Sequence, residues 1–211
     1  MKLYFPAFFS PSYETEINKK LRQPETLALA NKDYKQLWKL KKHAEKVAAS
    51  IHELEAFASN EETVKALNKY ITEAFDHVLA GGKLNLTQHI HPLQNTMFRL
   101  KDELSNSVCW DVTFSCLNMM SNSFVMGIGG ASSILFTAAV LTGPASALLL
   151  SMGMAVLSAS LAILAAYSLY VDGRFVVDQQ IGEIEEGINF LCEFQPNYMP
   201  EPTTGNHSAY V

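Results

Sequence analysis

Apolar residues in this chain recur first at helical spacing and then run together in one long uncharged block. Leu37, Leu40, Ala44, Val47, Ile51, Leu54 and Ala58 follow alternating steps of three and four. That is the heptad stripe of a long amphipathic, coiled-coil-like helix, predicted from about Thr26. Ser59-Asn60-Glu61-Glu62 has the capping-box pattern that restarts a helix, and Val64, Leu67, Ile71, Phe75, Val78 and Leu79 continue as a second stripe. Gly81-Gly82 then supplies the left-handed stop that a helix C-terminus favours. Pro92 suits the first turn of a third helix, whose stripe is Leu93, Met97, Leu100, Leu104 and Val108. Beyond the uncharged block, Val177, Ile181, Ile184, Ile188 and Leu191 form a fourth stripe. Strand-like alternation occurs nowhere, so the expected class is an all-α helical bundle.

The block from Val112 to Val171 is 60 residues without Asp, Glu, Lys, Arg or His. Ala145 to Val171, as a helix, would be about 40 Å long, enough to cross a hydrocarbon core of roughly 30 Å with some tilt. Ser123 to Thr142 is a shorter span, rich in glycine and hydroxyl residues. Gly143-Pro144 between them reads as a turn, which makes the pair an antiparallel transmembrane hairpin. Helices in lipid need close backbone approach. Ala147, Ser151, Ala155 and Ala159 are expected to provide one small-residue ridge, with Gly127 and Ala131 opposite. Trp110 and Phe114 at the entry, with Tyr167 and Tyr170 at the exit, are expected to share one interface level.

A helix that is apolar all round also occurs in the core of a soluble bundle, and colicin-type pore formers store a hydrophobic hairpin in that way. Both alternatives stay open at this point. Few other helices are available, however, to hide so long a block.

Charge sharpens the division. Up to Asp111 there are 15 Lys and Arg against 14 Asp and Glu, and from Asp172 onward one Arg against seven acids, for a net charge of −5. Phosphate neutralisation needs a basic surface, so nucleic acid is not an expected partner. Cys109, Cys116 and Cys192 are an odd set without C-x-x-C spacing and read as free thiols. His89 and His91 could begin a metal site, but no further ligand lies near them in sequence. Gly127-Ile128-Gly129-Gly130 has no following Lys-Ser/Thr, so close packing explains it better than phosphate binding. No nucleophile, acid-base or metal motif is recognisable, and neither enzymatic activity nor a cofactor is expected. Leu3 to Phe9, interrupted by Pro6, is too short and too aromatic for a signal-peptide core.

The resulting organisation is an N-terminal aromatic segment (1–25), a soluble helical domain (26–111), a hydrophobic membrane hairpin (112–171), an acidic amphipathic helix (172–195) and a tail (196–211) whose prolines and small polar residues argue for disorder. Two apolar spans split by Gly143-Pro144 and flanked by helical polar segments resemble the layout of inclusion-membrane and vacuolar effector proteins of intracellular bacteria. That likeness rests on architecture around residues 90 to 195 and on no specific motif. It implies a secreted effector whose hairpin anchors a helical interaction module at a host membrane. The long N-terminal helical half departs from the commonest version of that layout. The expected function is a membrane-anchored helical interaction protein; the alternative is a pore-forming or membrane-remodelling protein whose hairpin inserts conditionally. A lipid membrane and a protein partner are the expected partners, homo-oligomerisation is left open, and both termini are expected on the cytosol-like side.

Overall fold

A computed structural model describes residues 1–6, 10–23, 31–57 and 61–194, with backbone alone for 31–33, 56–57 and 106–111. Its elements are α1 (Ser12–Arg22), α2 (Asn31–Phe57), α3 (Glu61–Leu79), α4 (His91–Thr142), α5 (Leu148–Val176) and α6 (Gln179–Glu193). Among the described residues there is no strand. The chain is an all-α bundle from which two long apolar helices, the distal part of α4 and most of α5, extend as an antiparallel hairpin.

The stripes form the core. Leu37, Leu40, Ala44, Val47, Ile51 and Leu54 of α2 are buried, as are Val64, Leu67, Ile71, Phe75, Val78 and Leu79 of α3. Leu93, Met97 and Leu100 of α4 join Ile184, Ile188 and Leu191 of α6 in the same cluster. Periodicity of this kind, more than helix propensity, stabilises such helices, because each stripe leaves water only against another. Helix α2 lies mainly on α6 and α3 mainly on α4, so the N-terminal helix pair packs on the two helices that flank the hairpin. Ala58, the end of the first stripe, and Ser59 of the capping box lie outside the described residues, as do Val108, Cys109 and Trp110 as side chains and the tail from 195.

The stops fall where backbone chemistry requires them. Gly81 has φ 87°, and the amides of Gly81 and Gly82 return to the carbonyls of Val78 and His77 at 3.0 Å each, which closes α3 with a Schellman motif. At the hairpin tip the Gly143 amide donates to the Ala139 carbonyl at 2.8 Å, and a Cβ on Gly143 would meet that oxygen at 2.5 Å. Pro144 then starts a single 3-10 turn, Ala145–Ala147, which leads into α5.

Two features depart from the sequence expectations. The N-terminal segment contains a helix, α1, whose Tyr13, Ile17 and Leu21 are buried at four-residue spacing, Tyr13 stacking on Phe75 with ring centroids 4.5 Å apart. Val177, assigned to the fourth stripe, is 69% exposed, because the chain turns between α5 and α6 through Asp178 in the left-handed region at φ 52°. Aspartate tolerates that conformation better than most residues.

Candidate functional site at the base of the apolar hairpin

The two apolar stretches, Val112–Thr142 and Ala145–Val176, are long and apolar enough to cross a membrane by length and composition, and only 6% and 11% of their most apolar windows are buried. Phe124, Ile134, Leu135, Leu141, Leu149 and Leu150 face outward, as do Met152, Val156, Leu157 and Ile163. The hairpin is therefore not the wrapped core of this bundle. Its helices cover one another along a single seam and leave the rest of their surface bare.

That seam differs from the ridges expected from sequence. Along the seam α5 buries Ser151, a member of the expected ridge, with Ser158 and Ala165 at seven-residue spacing and Ser168 below them, while Ala155 and Ala159, and Ala147 in the 3-10 turn, are half-buried. A strict four-residue step advances about 400°, drifting roughly 40° each time, whereas a seven-residue step stays on one face. On α4 the close approach is made by Gly129, where a Cβ would stand 3.0 Å from the Ser158 carbonyl oxygen and 3.3 Å from the Ala162 Cβ. Gly127 has nothing within 4 Å of that position, and Ala131 is exposed. Two residues turn a helix by about 200°, which puts Gly127 on the far side from Gly129. Of the aromatics expected at an interface, Phe114 and Tyr170 are exposed and Tyr167 is half-buried, the two tyrosine rings lying 6.4 Å apart; the Trp110 side chain lies outside the described residues.

Below the apolar belt the hairpin ends in two polar layers. The first joins the N-terminal segment to both hairpin helices. Asn118 and Asn122 of α4, one helical turn apart, are buried together with Ser168 and Asp172 of α5, also one turn apart. The Lys2 amide donates to Asn118 Oδ1 at 2.5 Å, and Asn118 Nδ2 donates to the Lys2 carbonyl at 3.0 Å and to Asp172 Oδ2 at 2.7 Å. Asn122 Nδ2 also donates to the Lys2 carbonyl, at 3.2 Å. The Tyr4 amide donates to Ser168 Oγ at 2.8 Å, and the Tyr4 hydroxyl to Asp172 Oδ1 at 3.2 Å. Burial, with the Asp172 carboxyl beside it, pushes the Tyr4 phenol far above its ordinary range, so it is a donor at any ordinary pH.

The second layer centres on Arg174, which is 7% exposed. One guanidinium nitrogen donates to Glu53 Oε1 at 3.0 Å and to the Tyr170 hydroxyl at 3.1 Å; the other donates to Ser50 Oγ at 3.1 Å and pairs with Glu183. Gln180 Nε2 closes the ring on Glu53 Oε2 at 3.0 Å. One buried cation thus ties α2, α5 and α6 together at the foot of the hairpin. Burial pushes the Glu53 carboxyl above the usual range, while Arg174 and Gln180 hold it down. The partners of Arg174 in α2 lie 121 and 124 residues away, beyond the reach of any local pattern.

His77 and His89 take local roles, while His52 Nε2 lies 3.0 Å from the Phe5 carbonyl and His43 stacks on Phe190 with ring centroids 4.2 Å apart. His89 Nδ1 accepts from the Asn85 amide at 3.1 Å, His77 Nε2 lies 3.1 Å from the Lys83 carbonyl, and their rings stack at 4.5 Å. Among the described residues no three His, Cys, Asp or Glu side chains converge as a metal site. Cys116 and Cys192 are free and exposed. In comparisons with known proteins, no family model, curated protein or solved structure matches this chain.

Proposed function

We propose that this chain is a membrane-anchored helical interaction protein, with the α4/α5 hairpin as its anchor and the bundle of α1, α2, α3 and α6 as the part presented outside the bilayer. The observation that carries this reading is the bare apolar surface of the hairpin, which is broadest between the polar layers and the turn and on α4 continues past the first polar layer as exposed Phe114, Leu117 and Met120. Counting about 20 residues back from the turn for a core of roughly 30 Å puts the hydrocarbon boundary near Ser123 on α4 and Tyr167 on α5. Asn122 and Ser168, the first members of the buried polar layer, lie one residue outside it on each helix. Tyr170, three residues beyond that boundary, falls in the zone where amphipathic rings favour the headgroup level, whereas Phe114, nine residues below Ser123, lies outside it. Residues 1–6 pack at the base of the hairpin, and α6 leaves from the same end, which supports both termini on one side of the membrane. Effector activity at a host membrane, suggested by the layout alone, is part of the proposal only as the setting for such an anchor.

The test is Ala155→Arg. An arginine at the centre of a span costs about 2.5–3.5 kcal/mol on insertion scales, and the glycine-rich partner helix has little apolar surplus to offset it. The wild-type chain is expected to stay with membranes after carbonate extraction and the variant to be released or degraded. Equal carbonate-resistant association of both would overturn the anchor.

A further inference from the structure

We infer that the base of the hairpin is a peptide-binding slot, whose ligand is a short peptide read through its main chain at alternate residues and through a tyrosine side chain at the second of them, and that residues 2–5 of the same chain occupy it. The inference rests on how the polar side chains are spent and does not depend on a membrane. A carboxamide carries a donor and an acceptor side by side, matching the amide and carbonyl of a single extended residue. Asn118 uses both on Lys2 and gives its remaining hydrogen to Asp172. Ser168 commits its own proton to the Leu164 carbonyl at 2.8 Å, which leaves its oxygen free to accept the Tyr4 amide. These contacts read backbone at position 2; the Lys2 residue is exposed, with its ammonium 5.6 Å from the Tyr4 ring centroid. Selectivity comes from Tyr4, which is 4% exposed with its hydroxyl on Asp172.

Four buried polar side chains between two apolar helices are costly unless each finds a partner. The extended segment supplies those partners, and the wall has capacity left over. Ser115 Oγ and Asn122 Oδ1 are buried without a hydrogen-bond partner. Beside the segment lies a cavity of about 300 Å³ lined by Leu3, Phe5, His52 and Tyr167 among others, so one flank of the strand is not packed against the bundle.

The experiment uses the peptide Met-Lys-Leu-Tyr-Phe-Pro, labelled with fluorescein at its C-terminus, and anisotropy against protein in detergent micelles. Three proteins are compared: the full chain, a variant lacking residues 1–6, and full-length Tyr4→Ala, in which the resident strand is weakened and the slot intact. Saturable binding is expected to both variants, with the full chain at least about tenfold weaker because its slot is filled. The peptide carrying Tyr4→Phe is expected to bind the truncated variant about tenfold more weakly, since one hydrogen bond to a carboxyl group is lost. Asn118→Ala in the truncated variant should abolish binding. Equal affinity for all three proteins, no binding to either variant while helicity is retained, or indifference to Tyr4→Phe would each overturn the slot. Loss of helicity in both variants would show a structural brace and overturn it as well.

Discussion

Replacing Arg174 by methionine removes the cation at the foot of the hairpin while keeping a side chain of similar volume. Arg174 is 7% and Glu53 3% exposed, and the pair is bonded at 3.0 Å, so the substitution strands a buried carboxyl group rather than breaking a surface pair. Glu53 keeps Gln180, and Glu183 keeps the Ser50 hydroxyl at 2.7 Å, but neither contact carries positive charge. Removing one partner of a buried pair costs about 3–5 kcal/mol, a large part of the roughly 5–15 kcal/mol that holds most domains together. At about 2–4 °C per kcal/mol for a chain of this size, Tm should fall by roughly 6–20 °C. The assay is heat unfolding of the full chain in detergent, followed by far-UV circular dichroism at several pH values. Burial already pushes Glu53 above its ordinary 4.5, and Arg174 opposes that rise, so the variant's carboxyl group moves higher still. A folded-state pKa above the unfolded one adds stability that is full below the unfolded value and is lost as pH rises through the folded value. The deficit of the variant should therefore shrink on acidification from neutral pH. Adding Glu53→Gln should recover part of the loss, because the stranded charge is gone. A Tm drop below about 3 °C, a deficit equal at every pH, or no recovery in the double variant would refute this reasoning.

Three further outcomes are expected from the same unfolding assay. Leu54→Asp removes a side chain that is 1% exposed and puts a carboxylate in its place, so a loss beyond the roughly 1.5–3 kcal/mol of lost burial is expected; an unchanged Tm would mean that the α2 stripe does not face the core. Gly129→Leu should destabilise the hairpin by about 1–3 kcal/mol while Gly127→Leu is tolerated, and equal effects would disprove the assigned seam. Tyr13→Phe should raise stability by about 1 kcal/mol, because the Tyr13 hydroxyl is buried without a partner; a clear loss would show that a hydrogen bond forms there after all.

Much of the architecture was legible because its causes are local. A stripe such as Leu37 to Leu54 follows from 3.6 residues per turn, and Gly81 and Gly143-Pro144 mark stops by what their own backbones allow. Helix α1 carried a comparable signal in Tyr13, Ile17 and Leu21, with Glu14 in its first turn and Lys19, Lys20 and Arg22 in its last, matching the helix dipole. The proline and aromatic residues ahead of it, Pro6, Phe8 and Phe9, carry no helical spacing of their own and mask that signal. The polar layers were not legible, since a buried Asn118 looks in sequence like any asparagine near a span. What makes it part of a site is Lys2, 116 residues away. The hairpin seam was half legible: small residues announced close packing, but choosing Ser151, Ser158 and Ala165 over the four-residue ridge needs the helix rotation that tertiary contact sets.

The exposure of the hairpin also bears on what covers it. Six side chains alone, Phe124, Ile134, Leu135, Leu141, Leu149 and Leu150, are 69–81% exposed. In water each would forgo roughly 1.5–3 kcal/mol of burial, together about 9–18 kcal/mol, which rivals the stability of a whole domain. A protein partner seated on one side would relieve part of that, since a docked helix or groove covers a single face. Here the bare surface runs round the helix: Leu148, Leu149 and Leu150 are consecutive, sweep about 200°, and are all exposed, and so are Val156 and Leu157. A driving force distributed over all directions is met by a solvent more readily than by a docked partner. Exposure on all sides of the helices matches lipid better than a protein groove as the medium of the hairpin. It also implies that a conditionally inserting form would need its own copies, or another chain, to enclose both helices completely before insertion.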